Sequence, residues 1–202
     1  QGNAYAPHVA AVCGGAPDAS AEVAFEYRRR SPRTFLSNAA HTNLQIAHGD
    51  KDPTISVAQT WRTFEALRPL SHRAEFCSWS GGHDLLPERG FEWLARQVKL
   101  PGPPLQQTVV TDEGKWYYWL YLRPDAPLTL ARCEAVYAPP PEATLTLRLE
   151  HSAVTRVQLG DLGLGWPSGV QRDGEDCADY HLDGRTLELP SAGERTEYLI
   201  TF

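Results

Sequence analysis

The chain has 202 residues, enough for one large domain or two small ones, and its 42% apolar content and six tryptophans are ample for a core. A net charge of −6 argues against nucleic acid and anionic membranes as partners. No apolar run approaches the roughly 20 residues of a membrane-spanning helix, so no membrane span is expected.

Taken in order, His8-Val-Ala-Ala-Val-Cys13 is short and continuously apolar and reads as a buried parallel strand, closed by the breakers Gly14-Gly15-Ala16-Pro17-Asp18. Glu22 to Arg30 is expected to be a short helix with Val23 and Tyr27 on one face, and Arg28-Arg29-Arg30 reads as a solvated charge run. Ser31-Pro32 suits a helix start, with proline at the first helical position. Leu44, Ile46 and Ala47 make the next strand, broken by His48-Gly49, with Asp52 on the loop beyond. Ser56 and Gln59 form a capping box, in which the hydroxyl accepts from a free backbone N–H and the glutamine reaches back. Val57, Trp61, Phe64 and Leu67 are the buried stripe of the helix it opens. Ala74 to Trp79 is a second strand, followed by Ser80-Gly81-Gly82-His83-Asp84. The next helix runs from about Pro87 to Lys99 with a stripe of Phe91, Leu94, Ala95 and Val98, Trp93 lying to one side, and Pro101 stops it.

At Leu100-Pro-Gly-Pro-Pro104 the composition changes, so 1–100 is expected to be one domain, 101–105 a linker and 106–202 a second, all-β domain. Trp116 to Leu122 reads as one aromatic strand. Leu128 to Tyr137, Ala143 to Glu150 and Val154 to Leu159 follow as strands, Leu145, Leu147 and Leu149 alternating with Thr146 and Arg148. His181 to Leu187 reads as a hairpin with Asp183-Gly184 at its turn, and Tyr198 to Phe202 as the last strand. About seven short strands between Gly/Pro breakers suggest a small β-sandwich of immunoglobulin-like size.

The octapeptide His48-Gly49-Asp50-Lys51-Asp52-Pro53-Thr54-Ile55 resembles the acid loop of prolyl-oligopeptidase-like and esterase-like α/β-hydrolases, and Ser80-Gly81-Gly82-His83 resembles their histidine loop. The likeness covers roughly residues 8 to 100. It implies an α/β fold: the C-terminal part of a doubly wound hydrolase sheet, followed here by the β-sandwich. It also implies that Asp52 is the triad acid and His83 the base, with His48, Gly49, Gly81 and Gly82 supporting them. The family's Gly-x-Ser-x-Gly nucleophile elbow is absent from the chain. On this reading the serine lies upstream, and an N-terminal hydrolase segment carrying it is an expected partner. Gln1-Gly2-Asn3-Ala4-Tyr5-Ala6 could then be the tail of the helix that follows the elbow, or the arbitrary start of a fragment. The β-module resembles one carried by some secreted hydrolases of this group, which implies a secreted or periplasmic protein.

A serine hydroxyl is a poor nucleophile near neutral pH and needs a base within hydrogen-bond reach. His83 would take its proton and return it to the leaving group, while Asp52 fixes the imidazole tautomer. The expected activity is therefore hydrolysis of a small carboxylic ester or a peptide bond, without cofactor. Asp50 is the nearer rival to Asp52 but fits a turn role, and Asp84 a surface or capping role. A metal site from His48, Asp50, Asp52 and His83 is conceivable in its mixed N/O donors but lacks an anchoring His-x-x-x-His pair. Asp173, Glu175, Asp176 and Asp179 could take calcium but have no EF-hand spacing and read as a solvated turn. Cys13, Cys77, Cys133 and Cys177 lack metal-ligand spacing and read as buried free thiols, although an even number also permits disulfides. The alternative function is a non-catalytic module binding carbohydrate, polymer or protein through Trp116, Tyr117, Tyr118, Trp119 and Tyr121, since consecutive strand aromatics cannot all face inward.

Overall fold

A computed structural model describes residues 6–71, 73–84, 87–98, 102–191 and 193–202. Residues 1–5, Lys99, and the Leu100-Pro101 part of the expected linker lie outside the described residues. The chain divides into two compact units, Gln1–Pro101 and Gly102–Phe202.

In the first unit, α1 (Ala6–Cys13), α2 (Ala21–Arg29) and a 3₁₀ helix (Pro32–Ala39) precede β1 (Asn43–Gly49), α3 (Val57–Leu67), β2 (Arg73–Trp79) and α4 (Pro87–Ala95). β1 and β2 pair in parallel, Asn43 opposite Arg73 through Gly49 opposite Trp79. They form a two-stranded sheet, so the expected α/β architecture, part of a doubly wound hydrolase sheet, is not what the chain builds. The stretch expected to supply another strand, His8 to Cys13, is helical instead. A short apolar run does not separate a buried strand from a helix by period alone. With alanine at three positions of its eight, α1 has good helix formers and no β-branched run.

The two strands carry one helix on each face. The alternation of a strand puts Leu44, Ile46 and His48 on the same side as their partners Ala74, Phe76 and Ser78. That side meets α3, where Phe64 and Trp61 pack on the Phe76 ring at centroid distances of 5.6 and 4.9 Å. Ser56 caps α3, its hydroxyl accepting from the Ala58 N–H at 3.3 Å, one residue earlier than a capping box would use. The other side carries Gln45 and Glu75, and there α4 lays Trp93, which is 4% exposed and donates its indole N–H to Glu75 at 2.8 Å. This reverses the expected face of α4: Phe91 and Leu94 are exposed, at 69% and 58%, and Val98, at 79%, lies beyond the helix, which ends at Ala95 rather than Lys99. Both sides of that helix are apolar enough to bury, and the larger tryptophan, with an acceptor waiting for its N–H, takes the inner position.

The second unit is antiparallel throughout. One sheet has the order β10 (Glu175–Asp176), β9 (Gly169–Arg172), β13 (Thr196–Thr201), β7 (Thr144–Glu150), β6 (Ala131–Ala138), β3 (Gln106–Thr111). The other has β11 (His181–Asp183), β12 (Thr186–Leu189), β8 (Ser152–Gln158), β5 (Leu120–Pro124), β4 (Lys115–Tyr117). Both contribute to one core: Leu145, Leu147, Leu149, Tyr198 and Ile200 from the first, Leu120, Leu122, Val157 and Leu187 from the second, all fully buried. Each such leucine or valine contributes about 1.5–3 kcal/mol of burial. Among the described residues eleven strands, not about seven, build this unit. The uncounted ones are short: the β9–β10 hairpin turns at Asp173-Gly174, both at positive φ, and uses three of the acidic residues considered for calcium, Asp173 in its turn and Glu175 and Asp176 in its ladder.

Two further corrections concern turns. The aromatic stretch is a hairpin rather than one strand, Tyr117 pairing with Leu120 across a loop of Tyr118 and Trp119. Trp119 turns fully inward, donating its indole N–H to the Pro104 carbonyl at 2.8 Å. In the β11–β12 hairpin Asp183 is the last ladder residue, opposite Thr186, so the loop is Gly184-Arg185, with positive φ at the glycine as a II′ turn requires. The four cysteines are free thiols, and burial drives the Cys133 thiol far above its ordinary pKa.

Candidate active site

Asp52 lies just past the end of β1 and His83 just past the end of β2, so the parallel pairing brings both loops to one edge. His83 Nδ1 stands 2.7 Å from Asp52 Oδ2. An ionised carboxylate only accepts, so the Nδ1 proton belongs to the histidine, and in the neutral ring Nε2 carries the lone pair. The pair runs from interior to surface: the Asp52 side chain is 4% exposed and that of His83 is 49% exposed.

The carboxylate is held by its own loop. Asp52 Oδ1 accepts from the N–H groups of Thr54 at 2.7 Å and Ile55 at 3.0 Å, an Asx-type turn that leaves Oδ2 for the histidine. Burial pushes the Asp52 carboxyl up, but the Ile55 N–H, the His83 ring and the Thr54 N–H outweigh it and hold the carboxyl at about 2. Asp52 is therefore an anion at neutral pH.

His48 is buried beneath this loop and does not point at the reacting side. Its Nε2–H donates to the Ile55 carbonyl at 2.9 Å, and Nδ1 accepts from the Thr60 hydroxyl at 2.8 Å. The Ile55 peptide is thus gripped from both sides, by Asp52 through its N–H and by His48 through its C=O. His48 Nε2 lies 3.6 Å from Asp52 Oδ2, too far for a second hydrogen bond. Thr60 was not among the expected site residues. The signal for it is its place in α3: positions 57, 60, 64 and 67 form the helix's inward stripe, and a threonine on such a stripe needs a partner.

The two loops are tied together by backbone. Asp50 N–H donates to Trp79 O at 2.9 Å and Lys51 N–H to Gly81 O at 2.9 Å, extending the strand pairing, while the Gly81 N–H donates to Asp50 Oδ1 at 3.3 Å. Asp50 thus holds the histidine loop rather than the acid turn. Gly49 is where the loops touch: a Cβ there would collide with the carbonyl oxygens of Gly81 and Gly82, which are backbone and cannot rotate away. A Cβ on Gly81 would strike the Trp79 indole, so that glycine lets the loop pass the ring. Gly82 has more room, its nearest neighbour being Asp84 Oδ2 at 3.7 Å.

The four residues considered as metal ligands are committed to this scaffold, His48 to Thr60 and Ile55, Asp50 to Gly81. Among the described residues no cluster of three or more His, Cys, Asp or Glu is arranged to hold a metal ion. No described helix is long and apolar enough to cross a membrane. What the arrangement can do is present a histidine whose Nδ1 proton is pinned by a buried anion and whose far ring edge is aimed outward, the acid–base half of a nucleophilic triad. Comparison with protein-family models, with curated proteins and with solved structures finds no match to this chain.

Proposed function

We propose that Asp52 and His83 are the acid and base of a serine hydrolase acting on a carboxylic ester or peptide bond. The observation that carries this is the 2.7 Å His83 Nδ1–Asp52 Oδ2 contact to a carboxylate that is itself held as an anion by two backbone N–H groups. In this reading His83 Nε2 removes the proton from a serine hydroxyl as it attacks the carbonyl carbon, then delivers that proton to the departing alcohol or amine. Asp52 keeps the ring in the right tautomer and stabilises the imidazolium between those events. The nucleophile comes from outside residues 1–202, because no Gly-x-Ser-x-Gly elbow occurs in the chain. An upstream hydrolase segment, on the same polypeptide or separate from it, supplies the serine and most of the oxyanion hole. This reading rests on the dyad and on the resemblance of its loops to prolyl-oligopeptidase-like and esterase-like enzymes.

The test is covalent labelling of the full gene product with a fluorophosphonate, followed by peptide mapping, alongside hydrolysis of a p-nitrophenyl ester and a chromogenic peptide. A labelled serine outside residues 1–202, with labelling lost in His83→Ala, is the expected result. No labelling and no hydrolysis would overturn the hydrolase reading; a labelled serine inside 1–202 would overturn the upstream nucleophile.

A further inference from the structure

The outward face of the sheet β11-β12-β8-β5-β4 carries a row of side chains unlike a merely solvated surface. Direct cross-strand partners share a face, so the register aligns Trp116 with Tyr121, Tyr121 with Arg156, Arg156 with Glu188, and Glu188 with His181. Their neighbours along each strand, Leu120, Leu122, Val157 and Leu187, point the other way and are fully buried. The row crosses four strand spacings, about 19 Å at 4.8 Å each.

Its parts are locked together. The Trp116 and Tyr121 rings meet at 5.4 Å with a 57° tilt, while Trp116 remains 45% exposed. The Arg156 guanidinium lies 5.3 Å from the Tyr121 ring centroid, and its Nε–H donates to Glu188 at 2.6 Å. Tyr121 is thus braced on one side by a cation and flanked on the other by an exposed indole. One step along the face a second polar row runs Gln158, Thr186, Asp183, with the Thr186 hydroxyl donating to Gln158 Oε1 at 2.7 Å. The aromatic end adjoins the hairpin loop in which Tyr118, 49% exposed, sits at φ +55°, a conformation that asparagine or glycine adopts without strain.

We propose that this face is a binding platform for a neutral glycan chain, with Trp116 as the stacking ring, Tyr121 as the ring that braces it, and Arg156, Glu188 and the second row as hydroxyl partners. A pyranose ring has a C–H face that packs on an aromatic ring and a rim of hydroxyls that both donate and accept. An exposed ring beside paired donors and acceptors matches that chemistry. The charges within the row neutralise each other, so nothing on it favours a polyanion such as RNA. The apolar part is two rings wide, narrower than the apolar centre of a stable protein interface. Bracing of Tyr121 before any ligand arrives reduces the ordering that binding requires. The inference stands apart from the hydrolase reading, because it uses residues of the other unit only.

The test is affinity electrophoresis of the full chain through gels containing dissolved xylan, hydroxyethyl cellulose or mixed-linkage β-glucan, with a glycan-free gel as reference. The expected result is retardation by at least one of these, lost in Trp116→Ala and in Tyr121→Ala, and retained in Trp61→Ala, an exposed tryptophan of the other unit. Trp116→Phe, which keeps a ring at an exposed edge position, should weaken retardation without abolishing it and covers the case in which an alanine variant misfolds. The same pattern in a His83→Ala background separates the platform from hydrolysis. Retardation by none of the three, equal retardation of a Trp116→Ala/Tyr121→Ala double variant, or retention only on heparin and reversed by salt would each overturn the proposal.

Discussion

Among the described residues, nineteen apolar side chains of the second unit are buried, against five in the first: Cys13, Phe25, Phe64, Leu67 and Trp93. The second unit owes its shape to a leucine-lined core between two sheets. The first holds its geometry with polar contacts, including the Asp52 turn, the His48–Thr60 bond and the backbone ties between the loops. Parallel strands are ordinarily covered on both faces. Here two strands carry one helix on each side, and part of the apolar surface of α4 stays in solvent. The Asp52–His83 contact is thus set to hydrogen-bond accuracy by local bonding where packing is thin.

That contrast can be broken by experiment. The largest effect is expected from Asp52→Asn in the full gene product: a kcat loss on the order of 10³–10⁴-fold, because the amide favours the wrong histidine tautomer. The unfolding midpoint of the second unit should not move; a loss below tenfold would mean that Asp52 is only structural. Next, Leu147→Ala should destabilise the second unit by about 2–5 kcal/mol in urea unfolding, since its cavity would open in the middle of a closed core. Ester hydrolysis should persist wherever the variant is folded.

A pH experiment separates the units differently. Asp52 is held near 2 in the folded chain, below the roughly 3.9 of an unfolded aspartate. Its contribution is thus fully present above about pH 4 and disappears as pH falls through its folded pKa. Acid unfolding of the first unit between those limits should become less steep in Asp52→Asn; an unchanged acid transition would show that the carboxylate is not held as described. The smallest effect is expected from Thr60→Val, which removes one neutral hydrogen bond, worth about 0.5–1.5 kcal/mol. It should lower kcat modestly and leave KM alone, and an effect as large as that of Asp52→Asn would place Thr60 in the chemistry itself.

The site was more legible in the sequence than the fold around it. A carboxylate and a histidine on loops after consecutive strands are a local pattern, and strand pairing alone brings them together. α3 was legible as a helix capped by Ser56 for the same reason, but Trp61, expected in its buried stripe, is 43% exposed and Thr60 lies on the inward side instead. His8 to Cys13 was not, because a six-residue apolar run carries no period long enough to distinguish helix from strand. The turn at Tyr118-Trp119 was hidden by having neither glycine nor asparagine, the residues that announce a two-residue hairpin loop. The face of α4 was misread because periodicity identifies an apolar stripe but not what covers it, and Glu75 offered Trp93 an acceptor from eighteen positions away. Thr60 needed the knowledge that His48 faces inward.

The double grip on the Ile55 peptide has a consequence for motion. Surface loops usually give up their amide protons to solvent quickly, at rates set by local opening. The amides of Thr54 and Ile55 lie in such a loop yet are bonded to a carboxylate, and the Ile55 carbonyl is bonded to a buried imidazole. They should exchange with deuterium slowly, as strand amides do, and quicken together once acid protonates Asp52. The Asp52 carboxylate would then be doing for its loop what a ladder of strand bonds does for a sheet, and its own ionisation would report on how tightly that loop is closed.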